Sequence, residues 1–143
     1  MSAGKRSRVF FDTNVIVYSH DNDSPQKRDR ARELIESSFL DRTGVVSGQV
    51  LGEAFVTLTK KIGIASEAAM EEISSYAAGF KVVEISSSLV LRAIQIREEC
   101  QLSYWDALII AAAEAASCEI VWSEDMNAGQ VYGGVTVRNP FAD

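Results

Sequence analysis

Arg8-Val9-Phe10-Phe11-Asp12-Thr13-Asn14 is the stretch that decides the fold. Its first four residues are too apolar to leave one face in water, so they predict a strand covered on both faces, as in the middle of a parallel sheet. An acid ends that strand. Ligands of open parallel sheets bind beyond the C-terminal strand ends, which makes Asp12 the first candidate functional residue.

Working outward, β-rich runs alternate with helical patterns. Ser24-Pro25 places a cap residue before a proline at a first helical position, opening a helix that buries Ala31, Leu34, Ile35 and Phe39 and turns its arginines outward. Gly44 to Ser47 reads as the second strand. A helix from about Gln49 to Ile62 follows, with Val50, Leu51, Ala54, Phe55 and Leu58 on its apolar stripe and Glu53 off it. Glu67 to Ala78 is predicted helical with Ser66 as its cap, Lys81 to Ile85 a strand, and Leu89 to Glu99 a helix started by Ser87 or Ser88. Tyr104 to Ala116 is apolar almost all round, the mark of a buried helix. Glu119 to Ser123 and Val135 to Val137 complete the strands. The pattern predicts one domain over residues 1–143 of α/β class, a three-layer α/β/α sandwich on a mostly parallel five-stranded sheet.

Composition narrows the chemistry. The apolar fraction of 47% with 24% charged residues fits a folded chain. The longest apolar run, Ala107 to Ala113, is far below the ~20 residues of a membrane-spanning helix, and no export signal is readable, so a cytoplasmic protein is expected. Cys100 and Cys118 form no metal-binding spacing and are read as buried thiols. With His20 as the only histidine, a His/Cys zinc site or a Ser-His-Asp triad would rest on one ring. The formal charge of −6 opposes a nucleic-acid partner at first sight. Two divalent cations held by clustered acids would bring it to about −2, and basic residues cluster at Lys5-Arg6-x-Arg8, at Lys27-Arg28-x-Arg30-x-Arg32 and at Lys60-Lys61.

Three more acids fall where the C-terminal edge of the sheet is expected. Glu53 lies in the first turns of the helix after the second strand. Asp106 lies in the first turn of the buried helix, and Asp125 just past the Glu119 run. Each has a plainer reading: an Asx-turn for Asp12, an exposed helical position for Glu53, a Ser103-x-x-Asp106 capping box, and a turn residue for Asp125. Only their convergence argues for chemistry. Acids packed together repel unless a hard cation with a preference for oxygen, such as Mg²⁺ or Mn²⁺, offsets their charge.

Phe10-Phe11-Asp12-Thr13-Asn14-Val15 resembles the opening of PIN domains, and Tyr104-Trp105-Asp106-Ala107-Leu108-Ile109 resembles their third acidic motif. Glu53 in Leu51-Gly52-Glu53-Ala54 falls where the second acid is expected, and Ser123-Glu124-Asp125 is similar to the motif closing the site. The likeness spans nearly the whole chain and is nearest to bacterial single-domain proteins that include VapC toxins. It implies a parallel sheet flanked by helices and cleavage of RNA dependent on Mg²⁺ or Mn²⁺, with one or two ions. It also implies frequent homodimers and, often, a small antitoxin partner. Carried onto this sequence, the metal-site and catalytic residues are Asp12, Glu53, Asp106 and Asp125, with Thr13, Asn14 and Ser123 in support. Asp12 and Asp106 are the principal ligands in this reading, and Ser123 orients one of them.

Two other readings compete with this one. A phosphoaspartyl phosphatase would make Asp12 a nucleophile, but would want a second acid where Asn14 stands. A non-catalytic module binding RNA or protein would gain nothing from clustered negative charge. Tyr18, Tyr104, Trp105 and Trp122 are each read as core residues before stacking platforms.

Overall fold

The computed structural model describes residues 7–142; the Lys5-Arg6 part of the first basic cluster lies outside them. Strand β1 (Arg8–Phe11) pairs in parallel with β2 (Gly44–Ser47) on one side and β4 (Cys118–Trp122) on the other. This central place explains why Phe10 and Phe11 lose all solvent contact. Strand β3 (Lys81–Val83) extends the sheet beyond β2, and β6 (Val135–Arg138) extends it beyond β4, all in parallel. The order is β3-β2-β1-β4-β6-β5, with the short β5 (Val131–Tyr132) antiparallel at the edge.

Five parallel strands thus match the expected sheet, and β5 makes a sixth. It comes from a two-residue hairpin: Gly133 and Gly134 have φ of 55° and 88°, the left-handed pair that a tight primed turn needs. Gly-Gly followed by Val-Thr-Val was the available signal.

Helices α1 (Thr13–Tyr18), α2 (Pro25–Asp41), α3 (Gly48–Thr57) and α4 (Ser66–Gly79) connect β1, β2 and β3, while α5 (Ser87–Cys100) and α6 (Tyr104–Ala115) carry the chain back to β4. Right-handed crossovers running in opposite directions put the two groups on opposite faces, giving three layers. Packing agrees: α5 lies against α6, and α1 against α2 and α3. Residues Ala107 to Ala113 of α6 are all buried, as an all-round apolar helix requires.

Several boundaries differ from expectation. Helix α1 was not anticipated: Val15-Ile16-Val17 is a β-branched run of low helix propensity, but all three side chains are buried, and packing outweighs propensity. The helix expected over Gln49–Ile62 changes geometry at its end, with a π-helical turn over Leu58–Ile62 closed by Gly63 at φ 85°. Ser66 is the first residue of α4 and not its cap, a place taken by Ala65 with no capping side chain. Strand β3 stops at Val83. Ser86, one residue before the expected start, caps α5 by accepting from the Leu89 N–H. Cys118 is buried as expected, whereas Cys100 is half-buried.

The chain leaves β1 toward β2 and β3 in one direction and returns to β4 on β1's other side. That reversal opens a crevice at the C-terminal ends of β1 and β4. Helix α6 leads into β4, so its N-terminus, with Asp106, lies at the same edge.

Candidate functional site

Asp12 leaves β1 with its backbone N–H bonded to the Trp122 carbonyl of β4 (3.0 Å), which fixes it at the crevice. Its Oδ1 accepts from the Thr13 N–H (2.7 Å) and caps α1, so the local role read from the sequence is real. Its Oδ2 accepts from the Ser123 hydroxyl (2.7 Å) and faces the Asn14 amide (3.3 Å). Burial pushes the Asp12 carboxyl up from 3.8 to about 6, with Asp106 and Asp125 adding like-charge repulsion, while the bonds from Ser123 and Thr13 oppose the rise.

Ser123 has no solvent exposure. Its Oγ donates to Asp12 and accepts from the N–H groups of Asp125 (3.2 Å) and Met126 (3.3 Å), so one hydroxyl shapes the loop after β4 and orients the central acid. Asn14 works in parallel. Its amide nitrogen lies 3.2 Å from Asp125 Oδ2, and its Oδ1 accepts from the Glu124 N–H (3.1 Å).

Asp106 sits in the first turn of α6, where its N–H donates to Ser103 Oγ (3.1 Å). Its carboxyl is raised by burial, with Ser103 opposing and Asp125 adding repulsion. Glu53 is exposed on α3, and its Oε1 accepts from the Thr13 hydroxyl (3.0 Å), which ties the second element to the first. All four acids, with Thr13 and Asn14, line one cleft of about 800 Å³. Ser123 supports it from beneath. Among the described residues no three acids form a ready-made cage around a single point. Mg²⁺ and Mn²⁺ sites do not require one, since such ions keep several waters and take one or two direct carboxylates. The donor set suits a hard divalent ion: it is all oxygen, and the like-charge repulsion on Asp12 and Asp106 is what a cation relieves.

The sequence reading missed residues around this floor. Glu124 belongs to the cleft, but Tyr18 donates to it (2.8 Å) and Lys27 pairs with it. Partial burial works against its ionisation, yet these two partners hold its carboxyl below the usual value. Tyr18, Asp21, Gln49, Lys61 and Trp105 also line the cleft. Trp105 was expected in the core and is 61% exposed. The α2 basic cluster is less free than a solvated face: Arg30 donates to the Pro140 carbonyl (3.0 Å) and Arg32 to the Ser19 carbonyl (2.7 Å). His20 bonds to the Tyr76 hydroxyl (2.7 Å) and is not among the cleft's lining residues.

The sequence matches the PIN domain family over residues 9–134. No curated protein matches it. Among solved structures, a toxin–antitoxin complex from Klebsiella pneumoniae shares 21% identity at a TM-score of 0.67, covering 93% of this chain and 98% of that one. VapC20 of Mycobacterium tuberculosis, described as a toxin cleaving the sarcin-ricin loop, shares 20% identity at a TM-score of 0.64 over 82% of this chain and 89% of its own. DNA-bound VapBC from Salmonella typhimurium shares 15% identity at a TM-score of 0.69, covering 94% and 99%. At these identities the likeness is one of fold.

Proposed function

The chain belongs to the PIN domain family, and on that premise we propose that it is a Mg²⁺- or Mn²⁺-dependent endoribonuclease hydrolysing RNA phosphodiester bonds. The observation that carries the reading is the gathering of Asp12, Glu53, Asp106 and Asp125 on one cleft at the sheet's switch point. A structural explanation suffices for each acid alone. It does not account for Asp12 and Asp106 being kept close enough that repulsion adds to the cost of burial.

In this reading Asp12 and Asp106 would hold the ion, with Glu53 and Asp125 completing the site, one of them through water. When bound, the ion supplies a more acidic water and neutralises charge at the phosphate. The chain's own residues position the acids. Ser123 aims the Asp12 oxygen, Asn14 joins Asp125 to Asp12, and Thr13 holds Glu53 at the rim. Because the Asp12 carboxyl stands near 6 without metal, ion affinity should fall as pH drops through that value.

We test the reading with purified wild type, Asp12→Asn and Asp106→Asn on RNA in Mn²⁺, Mg²⁺ or EDTA. Wild type should cleave only with metal, and both variants should lose cleavage while unfolding cooperatively. Undiminished cleavage by both would overturn the assignment.

The finer parts of the proposal rest on likeness. Solved structures of similar fold are described as toxin–antitoxin complexes, so a small antitoxin is a proposed partner, to be sought by co-expression with neighbouring reading frames. A homodimer, a single domain over residues 1–143 and a cytoplasmic location belong to the same reading. No described helix is long and apolar enough to cross a membrane.

A further inference from the structure

The opposite edge of the sheet, where β1, β2 and β3 begin, carries a second concavity of about 470 Å³. Arg8 of β1, Arg42 after α2 and Lys81 of β3 line it, and none of its described lining residues is acidic. In a chain of formal charge −6, cations gathered here without a counter-charge repel one another. Arg8 spends one nitrogen on the Ala116 carbonyl (2.9 Å) and keeps its other donors. Neither the Arg42 guanidinium nor the Lys81 ammonium has a hydrogen bond or ion pair among the described residues. Arg42 also holds φ 58°, a left-handed conformation that glycine takes at lower cost. Two helices end at this edge, and cations are drawn to helix C-termini. Here, however, the Ser38, Phe39 and Tyr76 carbonyls are taken by the backbone N–H groups of Arg42, Thr43 and Phe80.

The wall beside these cations is aromatic. Phe39 and Phe80 line it with ring centres 4.7 Å apart. Each ring packs over a glycine, since a Cβ on Gly79 would lie 2.6 Å from Phe39 and one on Gly44 2.5 Å from Phe80. We propose that this pocket is a binding site, separate from the cleft, for a nucleoside diphosphate or triphosphate. Arg8, Arg42 and Lys81 take the phosphates, and the base lies on the half-buried Phe39 ring. The volume falls in the range of small-molecule sites and holds one nucleotide, not a strand. Strand β1 (Arg8–Phe11) separates the pocket from Asp12 by about 13 Å, so a nucleotide bound there leaves the four carboxylates uncovered.

The test titrates the full chain by calorimetry in metal-free buffer, where the acidic cleft repels phosphates. Adenosine diphosphate and inorganic pyrophosphate should bind, more weakly as salt rises, and adenosine should not. The diphosphate nucleotide should bind about 5-fold tighter than pyrophosphate or more, the share of base stacking. Arg42→Gly and Lys81→Gln should each weaken both about tenfold, the weight of one charge-assisted hydrogen bond. Arg42→Gly should unfold at no lower temperature than wild type, because glycine suits φ 58°. Lys61→Gln at the cleft and Arg97→Gln on α5 change the net charge equally and should bind as wild type does. Phe39→Leu keeps an apolar wall without a π-face and should bring the nucleotide to the pyrophosphate value.

No binding of either anion at about 5 mM, binding that survives both pocket substitutions, or an equal loss in Lys61→Gln or Arg97→Gln would overturn the proposal. So would a nucleotide advantage untouched by Phe39→Leu. A 5′-hydroxyl RNA octamer that binds as tightly as adenosine diphosphate and is lost with Arg42→Gly would also overturn it, by making the pocket a surface for RNA strands. Should Phe39→Leu fail to fold, the Arg42→Gly arm still decides.

Discussion

Replacing Asp12 by Asn should remove activity and, in metal-free protein at neutral pH, make the fold more stable. The Asp12 carboxyl is raised from 3.8 to about 6 in the folded chain, so the native state holds its proton more tightly than the unfolded state. A raised carboxyl contributes stability that is fully present below about pH 4 and is lost as pH climbs through about 6. The full displacement corresponds to about 3 kcal/mol. Asn imitates the protonated form but is a poorer acceptor for the Ser123 hydroxyl, a loss of about 1 kcal/mol. Asp12→Asn should therefore gain about 2 kcal/mol over wild type at pH 7.5 in EDTA, roughly 6 °C in Tm for a chain of this size. At pH 4 the advantage should vanish or reverse. Asp106, also raised, and Glu124, lowered, act on the pH profile in opposite senses, and both remain in the variant, so the difference reads Asp12 together with its repulsion against Asp106 and Asp125. Unfolding followed by circular dichroism at the two pH values decides it. Manganese at about a hundred times its dissociation constant should add about 2.7 kcal/mol to wild type alone and invert the order. A variant less stable than wild type at pH 7.5 in EDTA, or a difference unchanged between the two pH values, would refute the reasoning.

Other expectations concern residues away from the acids. A Cβ on Gly44 would lie 2.5 Å from the Phe80 ring and 2.7 Å from Ser38 Oγ. Gly44→Ala should thus cost about 1–3 kcal/mol in urea unfolding without changing metal-dependent cleavage per folded molecule. Burial pushes the Cys118 thiol up to about 12, so iodoacetamide at pH 8 should spare it in the folded protein and label it after denaturation, as read by peptide mass. Lys27→Met should change stability by less than about 1 kcal/mol, because its pair with Glu124 is partly solvated. It should free Glu124 to add negative charge at the cleft, seen as weaker RNA binding at low salt.

Where burial is two-sided, the sequence announced the fold. The Phe10-Phe11 end of β1, the whole of β2 and the all-round apolar α6 were readable because no other environment tolerates them. Elements decided by tertiary contact were not. Helix α1 owes its form to burial of a β-branched run, and the π-helical turn and the two-residue β5 have no periodic signature. The four acids were legible through resemblance and through their places at strand and helix ends. Their partners were less so. Thr13 with Glu53, and Lys27 with Glu124, join residues 40 and 97 positions apart, a proximity that local spacing does not encode. Trp105 departs from expectation because an aromatic residue in the first turn of an apolar helix is usually packed inside, and here it is exposed.

The π-helical turn over Leu58–Ile62 gives this cleft a route to new specificity. Each helical residue advances the chain by about 100° around the axis, so losing or gaining one codon in that turn swings Lys61 and Ile62 by more than a quarter of a revolution. No carboxylate would be touched. The wall that meets substrate could thus be re-aimed by a single insertion or deletion while the reactive floor is inherited intact.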